Sequence, residues 1–313
     1  MRRFACLLAV PVLLALSLSA CSGDGSAEPQ VEVGGKFGAL PEVKFPKGEA
    51  PSGEFELATP VEGEGRKVVQ GDLVVVDYVS YTWSKDGAST MIGNSFQGGV
   101  PVAMPSWSLV KGLKRALVGA KVGSRVVAVI PPKEGYGDKG RESLQIKGDD
   151  SLVYVLDVVA AHAKSESVQG AAAFGGEQGL PEVSAGAVPT VAVPRGAAPK
   201  DLAVREVKKG TGGEVKAGRL VTIQYVGARW RNGKVFSSAG ADGKVYATVI
   251  GQGLVIKGWD EALVGRRVGS RLLVVAPPGK AYGAKDLKVK GLPKYGIKAD
   301  DTLVYVVDVL GVY

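Results

Sequence analysis

The feature that most constrains this chain is an internal repeat, in which segments recur about 147 residues later. Tyr78-Val79 returns as Tyr225-Val226 at an offset of 147 residues. Such self-similarity indicates two copies of one domain, and a length of 313 residues agrees with two domains. Further pairs are Pro46–Pro51 with Pro194–Pro199, Gly119–Arg125 with Gly265–Arg271, Pro131–Gly137 with Pro277–Gly283, and Ser151–Val155 with Thr302–Val306.

The N-terminal residues have the order of features of an exported lipoprotein. Arg2 and Arg3 precede an apolar stretch, 4–18, that is too short for a comfortable membrane span. Small residues then lead directly to Cys21, a pattern that resembles the bacterial lipobox. We therefore expect export and anchoring to the outer face of the bacterial cell membrane by lipidated Cys21. An ordinary signal peptide with a chance cysteine is the alternative.

The composition around the two copies sets the expected domain boundaries. Residues 22–36 are polar and Gly-rich, and a stretch rich in Gly, Ala, Ser and Pro separates the copies. Leu40–Val43 recurs as Leu180–Val183, so each unit begins before its first obvious strand. We expect a signal peptide at 1–20, a lipid-anchored flexible tether at 21–39, a first domain at 40–163, a linker at 164–189 and a second domain at 190–313.

The residue inventory excludes several kinds of chemistry. Cys6 leaves with the signal peptide and Cys21 is blocked by lipid, so no disulfide or cysteine nucleophile is expected. A single histidine, His162, cannot build a His-rich metal site or a His-dependent triad, and we expect it in a solvated loop. Neither a metal nor a cofactor is expected. The net charge of +8 is scattered, which favours solubility and some attraction to anionic envelope surfaces over nucleic-acid binding.

Hydrophobic periodicity within a unit is mostly two, which is typical of strands. Val221, Ile223 and Tyr225 alternate with polar residues, which predicts a strand with one solvated face. The apolar run 271–276 predicts a more fully buried strand. One short helix is predicted from Lys257 to Val264, ending at a glycine. The fold class is therefore α+β, with a curled antiparallel β-sheet wrapped on one short helix in each domain.

Four motifs in the second copy resemble those of FKBP-type peptidyl-prolyl cis-trans isomerases. The most specific is Val255-Ile256-Lys257-Gly258-Trp259, which matches the Val-Ile-x-Gly-Trp of that family. The other three are Ala281-Tyr282-Gly283, Thr302-Leu303-Val304-Tyr305 and Gly233-Lys234-Val235-Phe236-Ser237-Ser238. The resemblance covers residues 202–312. It implies two tandem FKBP-like domains.

The resemblance also implies an aromatic pocket for a proline ring in the second copy. Trp259 would be its floor, the Ile256 backbone N–H would face the substrate, and the Tyr282 hydroxyl would donate to a substrate carbonyl. Taken singly, aromatic residues on strands are more often core than binding residues. Ser237, Tyr246 and Tyr305 depart from the family's usual Asp, Phe and Phe, which predicts reduced but measurable activity. The implied catalytic residues are Tyr225, Phe236, Ser237, Ile256, Trp259, Tyr282 and Tyr305, and the implied substrate-binding residues are Tyr246, Val255 and Ile297.

The first copy departs further from the family pattern. Leu113 stands at the place of Trp259, and residues 91–95 lack the Phe-Asp pair. Trp107 lies nearby but out of register, and its role is not assigned. We expect weak or no isomerase activity here, with peptide binding as the remaining role. The residues of this weaker pocket are Tyr78, Val110, Leu113, Tyr136, Ile146 and Tyr154.

The expected function is peptidyl-prolyl isomerisation that assists the folding of exported proteins, mainly by the second domain. The substrates would be X-Pro segments of unfolded or exported polypeptides, and a macrolide of the type that inhibits the family would bind the pocket. The main alternative is a non-catalytic peptide-binding chaperone or adaptor at the cell envelope. A ligand-capturing lipoprotein of a transporter is less consistent with small domains that lack a cleft-forming α/β pattern.

Overall fold

A computed structural model describes residues 27–164, 166–169, 172, 174–175, 177–238, 244–283 and 296–313. The expected signal peptide, the lipidation site Cys21 and the first part of the tether lie outside these residues. The two helices of the described chain have seven residues each. Neither is long and apolar enough to cross a bilayer.

The two domains have the same sequence of elements. In the first domain the sheet order is β3-β7-β8-β4-β5, with β6 also paired to β4, and all pairs are antiparallel. The elements are β1 (Glu32–Gly34), β2 (Glu42–Lys44), β3 (Glu56–Val61), β4 (Leu73–Trp83), β5 (Ser89–Asn94), β6 (Val102–Pro105), α1 (Lys111–Leu117), β7 (Arg125–Ile130) and β8 (Ser151–His162).

In the second domain the order is β11-β15-β16-β12-β13, with β14 paired to β12, and the pairs are again antiparallel. Each domain is thus a six-stranded sheet with one short helix, which confirms the α+β prediction. The elements are β9 (Glu182–Val183), β10 (Val191–Ala192), β11 (Ala203–Lys208), β12 (Leu220–Arg229), β13 (Val235–Ser238), β14 (Tyr246–Val249), α2 (Lys257–Leu263), β15 (Arg271–Ala276) and β16 (Leu303–Val312).

Each sheet is buried on both faces. One face packs on the helix, and the other is covered by a two-stranded hairpin, β1–β2 in the first domain and β9–β10 in the second. The solvated face predicted for β12 is therefore wrong, because Thr222 and Gln224 are 0% and 3% exposed. Polar residues on an alternating strand are buried here since other parts of the chain cover them.

The covering hairpins extend into the segments expected as tether and linker. Val31 precedes β1 and is buried against the first sheet. Val183 in β9 is buried against the second sheet beside Trp230. Ordered packing therefore begins before residue 40 in the first unit and before residue 190 in the second, because these short apolar segments bury their side chains on the valine-rich outer faces.

A buried ion pair links each covering segment to its sheet. The Arg271 guanidinium donates to both carboxylate oxygens of Asp308 on the neighbouring strand, at 2.6 and 2.8 Å. Arg271 Nη1 also donates to the Gly186 carbonyl at 2.8 Å, and the Val168 backbone N–H donates to Asp308 at 3.0 Å. This bidentate pair therefore makes hydrogen bonds both within the sheet and to the covering segment.

The first domain repeats this arrangement. Arg125 donates to both oxygens of Asp157 at 2.7 and 2.8 Å. Its Nη2 reaches the Ala39 carbonyl at 2.7 Å, and the Gly38 N–H donates to Asp157 at 2.6 Å. The pair is therefore part of the repeated scaffold.

His162 lies between the domains, which corrects its expected place in a solvated loop. The side chain is 5% exposed at the end of β8. Its Nε2 is 2.7 Å from the Tyr313 hydroxyl and 2.9 Å from the Thr222 hydroxyl, both in the second domain. Its Nδ1 is 3.2 Å from Glu166 Oε1. The ring is buried because strand β8 continues to the surface where the second domain packs.

Replacing Arg271 by Ala is expected to lower the free energy of unfolding of the second domain by about 3–5 kcal/mol, because Asp308 then stays buried without its partner. Arg125→Ala should do the same to the first domain. Urea denaturation followed by tryptophan fluorescence measures the loss. Lys133→Ala is the control, since the Lys133–Glu54 pair is exposed on both sides and should leave the midpoint almost unchanged. Equal midpoints for Arg271→Ala and the control would contradict this role of the ion pair.

Candidate active site

Five elements of the second domain converge on one cavity at the edge of the apolar core. Strands β12, β13, β14 and β16 and helix α2 each contribute side chains to it. The cavity has a volume of about 250 Å³ and opens to solvent, which leaves room for one ring-sized group inside it. Its lining residues are Tyr225, Phe236, Tyr246, Leu254, Val255, Ile256, Trp259, Tyr282 and Tyr305.

Trp259 lies in the first turn of α2 and forms the deep part of this cavity. Its side chain is 5% exposed, and its ring centroid is 5.0 Å from that of Tyr225 and 5.2 Å from that of Tyr305. Both contacts are edge-to-face, the geometry that aromatic quadrupoles prefer. Among the described residues, the buried Trp259 Nε1–H has no hydrogen-bond partner. Such buried donors are rare in folded proteins and concentrate at functional sites.

Leu254 forms part of the cavity mouth and was not among the residues that the sequence indicated. Leu254 is 61% exposed, and Tyr246, which also lines the cavity, is 42% exposed. An exposed leucine beside an apolar cavity can contact the residue that flanks a bound ring. No sequence pattern identifies it, because it precedes the recognisable motif by one position.

Two polar contacts hold the segments on either side of the cavity. The Asp260 carboxylate in α2 accepts hydrogen bonds from the Gly251 and Gly253 N–H groups at 2.6 and 2.9 Å, which fixes the loop before Leu254. The Glu261 carboxylate accepts from Lys280 Nζ at 2.7 Å, which joins α2 to the turn before Tyr282. Asp260 and Glu261 therefore position side chains of the site without lining it.

Four hydroxyl-bearing residues in or beside the cavity wall change its polarity. The Tyr225 and Ser237 hydroxyls are 2.9 Å apart, so Ser237 contacts Tyr225 as a hydrogen-bond partner. Burial raises the pKa of Tyr282 above its usual value, and it raises the pKa of Tyr305 further. Both phenols are therefore neutral at physiological pH, and each keeps an O–H group that can donate a hydrogen bond.

The remaining residue that the resemblance indicated lies behind the cavity. Ile297 is buried in the same apolar cluster as Trp259, but it is not one of the residues that line the cavity. The described residues contain no group of three or more His, Cys, Asp or Glu side chains that could hold a metal ion. The arrangement can bind an apolar ring and donate a hydrogen bond, and it offers no nucleophile.

The first domain has the same framework, with smaller side chains at the positions equivalent to those that line the second-domain cavity. Strand register places Ile92 at the position of Phe236, Val102 at that of Tyr246 and Gly93 at that of Ser237. Tyr78 and Tyr154 remain, with ring centroids 6.1 Å apart. The residues that the sequence indicated for the weaker first-domain pocket all belong to one apolar cluster: Tyr78, Val110, Leu113, Tyr136, Ile146 and Tyr154. Three aromatic residues that line the second-domain cavity are thus replaced by aliphatic residues in the first domain.

Trp107, which the sequence left unassigned, lies on the side of the first domain that faces the second. The Lys244 Nζ is 5.9 Å from the centroid of its ring. This distance is at the limit of a cation–π contact. The contact places Trp107 at the boundary between the domains.

Sequence comparison identifies relatives of both domains. The sequence pattern of FKBP-type peptidyl-prolyl cis-trans isomerases matches residues 64–159 and 212–310. An FK506-binding protein of Streptomyces anulatus is 33% identical over 124 residues, which are 40% of this chain and 96% of that protein. FK506-binding protein 4 of Mycosarcoma maydis is 41% identical over 107 residues, 34% of this chain and 26% of that protein.

One alignment extends over both domains. Peptidyl-prolyl cis-trans isomerase FKBP10 of Homo sapiens is 28% identical over 218 residues, which are 70% of this chain and 31% of that protein. The chain therefore spans about a quarter to a third of the length of the larger relatives that it matches.

Replacing Gly227 by Ala is expected to distort the cavity wall. A Cβ atom there would lie 2.7 Å from Phe236 Cζ and 3.1 Å from Tyr305 Cε1, so both rings must shift. The expected loss is about 1–3 kcal/mol of unfolding free energy. Gly279→Ala is the control, because nothing lies within 4 Å of its added methyl group. Thermal unfolding compares the two, and equal midpoints would show that the wall is not closely packed at Gly227.

Proposed function

This chain belongs to the family of FKBP-type peptidyl-prolyl cis-trans isomerases, and from that premise we propose that its second domain accelerates the rotation of X-Pro peptide bonds. The observation that carries the proposal is the cavity beside Trp259, which is lined mostly by aromatic and aliphatic side chains and bordered by Tyr282. The substrates are X-Pro segments of unfolded polypeptides. Activity resides mainly in the second domain.

The chemistry requires no reactive side chain. Resonance opposes rotation about a peptide bond with a barrier of roughly 18–20 kcal/mol, and X-Pro bonds exchange over tens to hundreds of seconds. The twisted transition state has lost this resonance and is less charge-separated than the planar amide. An apolar cavity therefore favours the twisted state relative to the planar one, and only such differential binding accelerates the reaction.

The roles of individual residues follow from their places around the cavity. Trp259 supports the proline ring from below, and Tyr225 and Tyr305 pack edge-on against the Trp259 indole. Tyr282 donates to a peptide carbonyl. Ile256 ends the extended segment before α2, so its backbone and side chain border the bound peptide.

For the first domain we propose peptide binding with weak or no turnover. The observation that favours it is the replacement of three rings by Ile92, Val102 and Leu113 on an otherwise equivalent framework. A surface of aliphatic side chains can bind an apolar segment, but it offers no aromatic ring against which a proline ring could pack. The whole chain would then act as a chaperone that binds an unfolded polypeptide with the first domain and isomerises its X-Pro bonds with the second.

The place of action that we propose is the outer face of the bacterial cell membrane. The sequence order of Arg2, Arg3, an apolar stretch and small residues before Cys21 supports this. Clients would then be exported proteins during their folding. A macrolide such as FK506 is a further proposed ligand, because two relatives are named as FK506-binding proteins.

Isomerase activity of the full chain is expected on a tetrapeptide that contains a Leu-Pro bond. Trp259→Leu, which copies the side chain found at Leu113, should lower kcat/KM about tenfold or more because the aromatic floor is lost. Tyr282→Phe should lower it about threefold to tenfold, the effect of one hydrogen bond. Chymotrypsin-coupled absorbance or NMR exchange spectroscopy measures the rates.

The control for this experiment is Tyr81→Phe. Tyr81 packs on the outer face of the first sheet against Phe45, so its hydroxyl should not affect turnover. A rate for the unaltered chain equal to that in buffer would contradict the proposed function. Binding of the peptide without acceleration would instead support the non-catalytic chaperone or adaptor.

Lipidation is expected at Cys21 in a bacterial host. Growth with a radiolabelled fatty acid should label the protein and place it in the membrane fraction. Cys21→Ser should abolish both, whereas Cys6→Ser should retain both, because Cys6 belongs to the part removed on export. Label retained in Cys21→Ser would contradict the anchor.

A further inference from the structure

A basic face of the second domain lies beside the C-terminal end of helix α2. It is built from the end of β11, the loop that follows it and the turn between α2 and β15. The loop and the turn lie side by side, since the Gly212 N–H donates to the Val268 carbonyl at 3.0 Å and the Val215 N–H donates to the Arg266 carbonyl at 2.7 Å. The charged residues that line this face are Glu206, Lys209, Glu214, Lys216, Arg219, Arg266 and Arg267.

Both carboxylates of the basic face are paired within it. Glu206 is 3.7 Å from Arg266 Nη1, and Glu214 is 4.0 Å from Arg267 Nη2. Three further cations are exposed and have no salt bridge within the described residues: Lys209, Lys216 and Arg219. With five Lys and Arg residues against two Glu residues, the face presents a net charge of +3 to solvent.

The first domain has the same backbone here without the charge. The bridge between Glu214 and Arg267 is repeated as a bridge between Lys67 and Lys121, which fixes the correspondence. The seven corresponding residues of the first domain carry two positive and two negative charges: Thr59, Glu62, Lys67, Val69, Asp72, Ala120 and Lys121. Their net charge is zero, so the fold itself does not require the basic face.

An apolar side chain projects among these cations. Val264 directly precedes the turn that carries Arg266 and is 41% exposed. Lys and Arg residues beside an exposed apolar side chain suit the surface of a lipid bilayer, where phosphate groups lie next to hydrocarbon. The N-terminal sequence also indicates anchoring at Cys21, which would hold the domain near that surface at a high effective concentration.

We propose that the basic face binds the anionic phospholipid headgroups of the membrane and holds the second domain against the bilayer with its cavity directed away from it. The inference rests on the proposed place of action of the chain. The cavity belongs to the N-terminal end of α2, where Trp259 lies in the first turn. Arg266 lies at the other end, where its Nε donates to the Ala262 carbonyl at 3.2 Å. Lipid and peptide therefore do not compete for one surface.

The test uses the mature chain, residues 21–313, with Cys21→Ser so that no lipid is attached. At low salt it should sediment with vesicles of equal parts phosphatidylglycerol and phosphatidylcholine, and not with vesicles of phosphatidylcholine alone. Raising NaCl from about 0.05 to about 0.5 M should release it, because salt screens the exposed cations.

The decisive variant exchanges two cations of the basic face for the residues of the first domain. Lys209→Glu with Arg219→Asp copies Glu62 and Asp72, and both side chains are exposed, so the fold should be retained. The affinity for the phosphatidylglycerol vesicles should fall about tenfold or more, because two attractive charges become repulsive.

The matched control makes the same change of net charge elsewhere. Lys47→Glu with Lys139→Asp alters two exposed lysines of the first domain that have no salt bridge within the described residues. This variant should bind the vesicles as the unaltered chain does, and thermal unfolding should give similar midpoints for all three proteins.

Turnover gives a second readout. Isomerisation of a Leu-Pro tetrapeptide by the vesicle-bound chain is expected within twofold of that by the free chain, because the cavity lies at the other end of α2. Loss of turnover on binding would contradict the proposed orientation.

The remaining outcomes separate this inference from the other proposals. No binding by the unaltered chain, an equal loss in both variants, or equal binding to phosphatidylcholine would overturn the basic face as a lipid site. Binding of a DNA oligonucleotide in place of the vesicles would overturn it in favour of nucleic acid. No turnover without vesicles would overturn the isomerase function alone, and a chain that binds vesicles but is not lipidated in the host would overturn the anchor alone.

Discussion

The bidentate ion pair between neighbouring central strands is the interaction on which each domain depends. Arg271 and Asp308 lie inside a sheet that is covered on both faces, where an unpaired charge would be costly. The pair is satisfied by hydrogen bonds to and from the covering segment, at the Gly186 carbonyl and the Val168 N–H. The covering segment and the sheet are thus joined by hydrogen bonds as well as by apolar contacts. This leaves the opposite face, with helix α2, to carry the cavity.

The duplicate domain shows which contacts belong to the scaffold and which to the site. Glu261 and Lys280 join the second helix to the turn before Tyr282, and at the same positions the first domain has Arg115 and Glu134, with the charges exchanged. Both domains thus have an ion pair between the helix and the turn, although the residue types at the two positions differ. Asp260, by contrast, has Lys114 as its counterpart, which cannot accept the loop N–H groups that Asp260 accepts. The scaffold contact is thus present in both domains, whereas the loop contact beside the cavity mouth is present in the second alone.

Sequence reasoning predicted the local elements well because they depend on short-range patterns. The two copies, the short helix from Lys257 and the buried strand at 271–276 follow from periodicity and terminal glycine. It failed where burial is imposed by distant parts of the chain. Thr222 and His162 look like solvent-facing residues in sequence, yet each is covered by the other domain. Leu254 was missed for a related reason, because the local sequence pattern does not show that an exposed residue lies beside a cavity.

The residues around the cavity that differ from the usual pattern of the family are more informative than those that match it. Tyr305 adds a hydroxyl where an apolar ring would fill the same volume, and it lies opposite Gly227 across the sheet, whereas Tyr154 in the first domain lies opposite Ser80. A hydroxyl in this position would weaken an otherwise apolar wall if it stayed unpaired. Burial raises the pKa of Tyr305, so this group is a neutral phenol in the wall of the cavity. The second domain thus combines a large buried phenol with a glycine across the sheet, and a Cβ atom at Gly227 would lie 3.1 Å from Tyr305 Cε1, so the two residues fit together only as a pair.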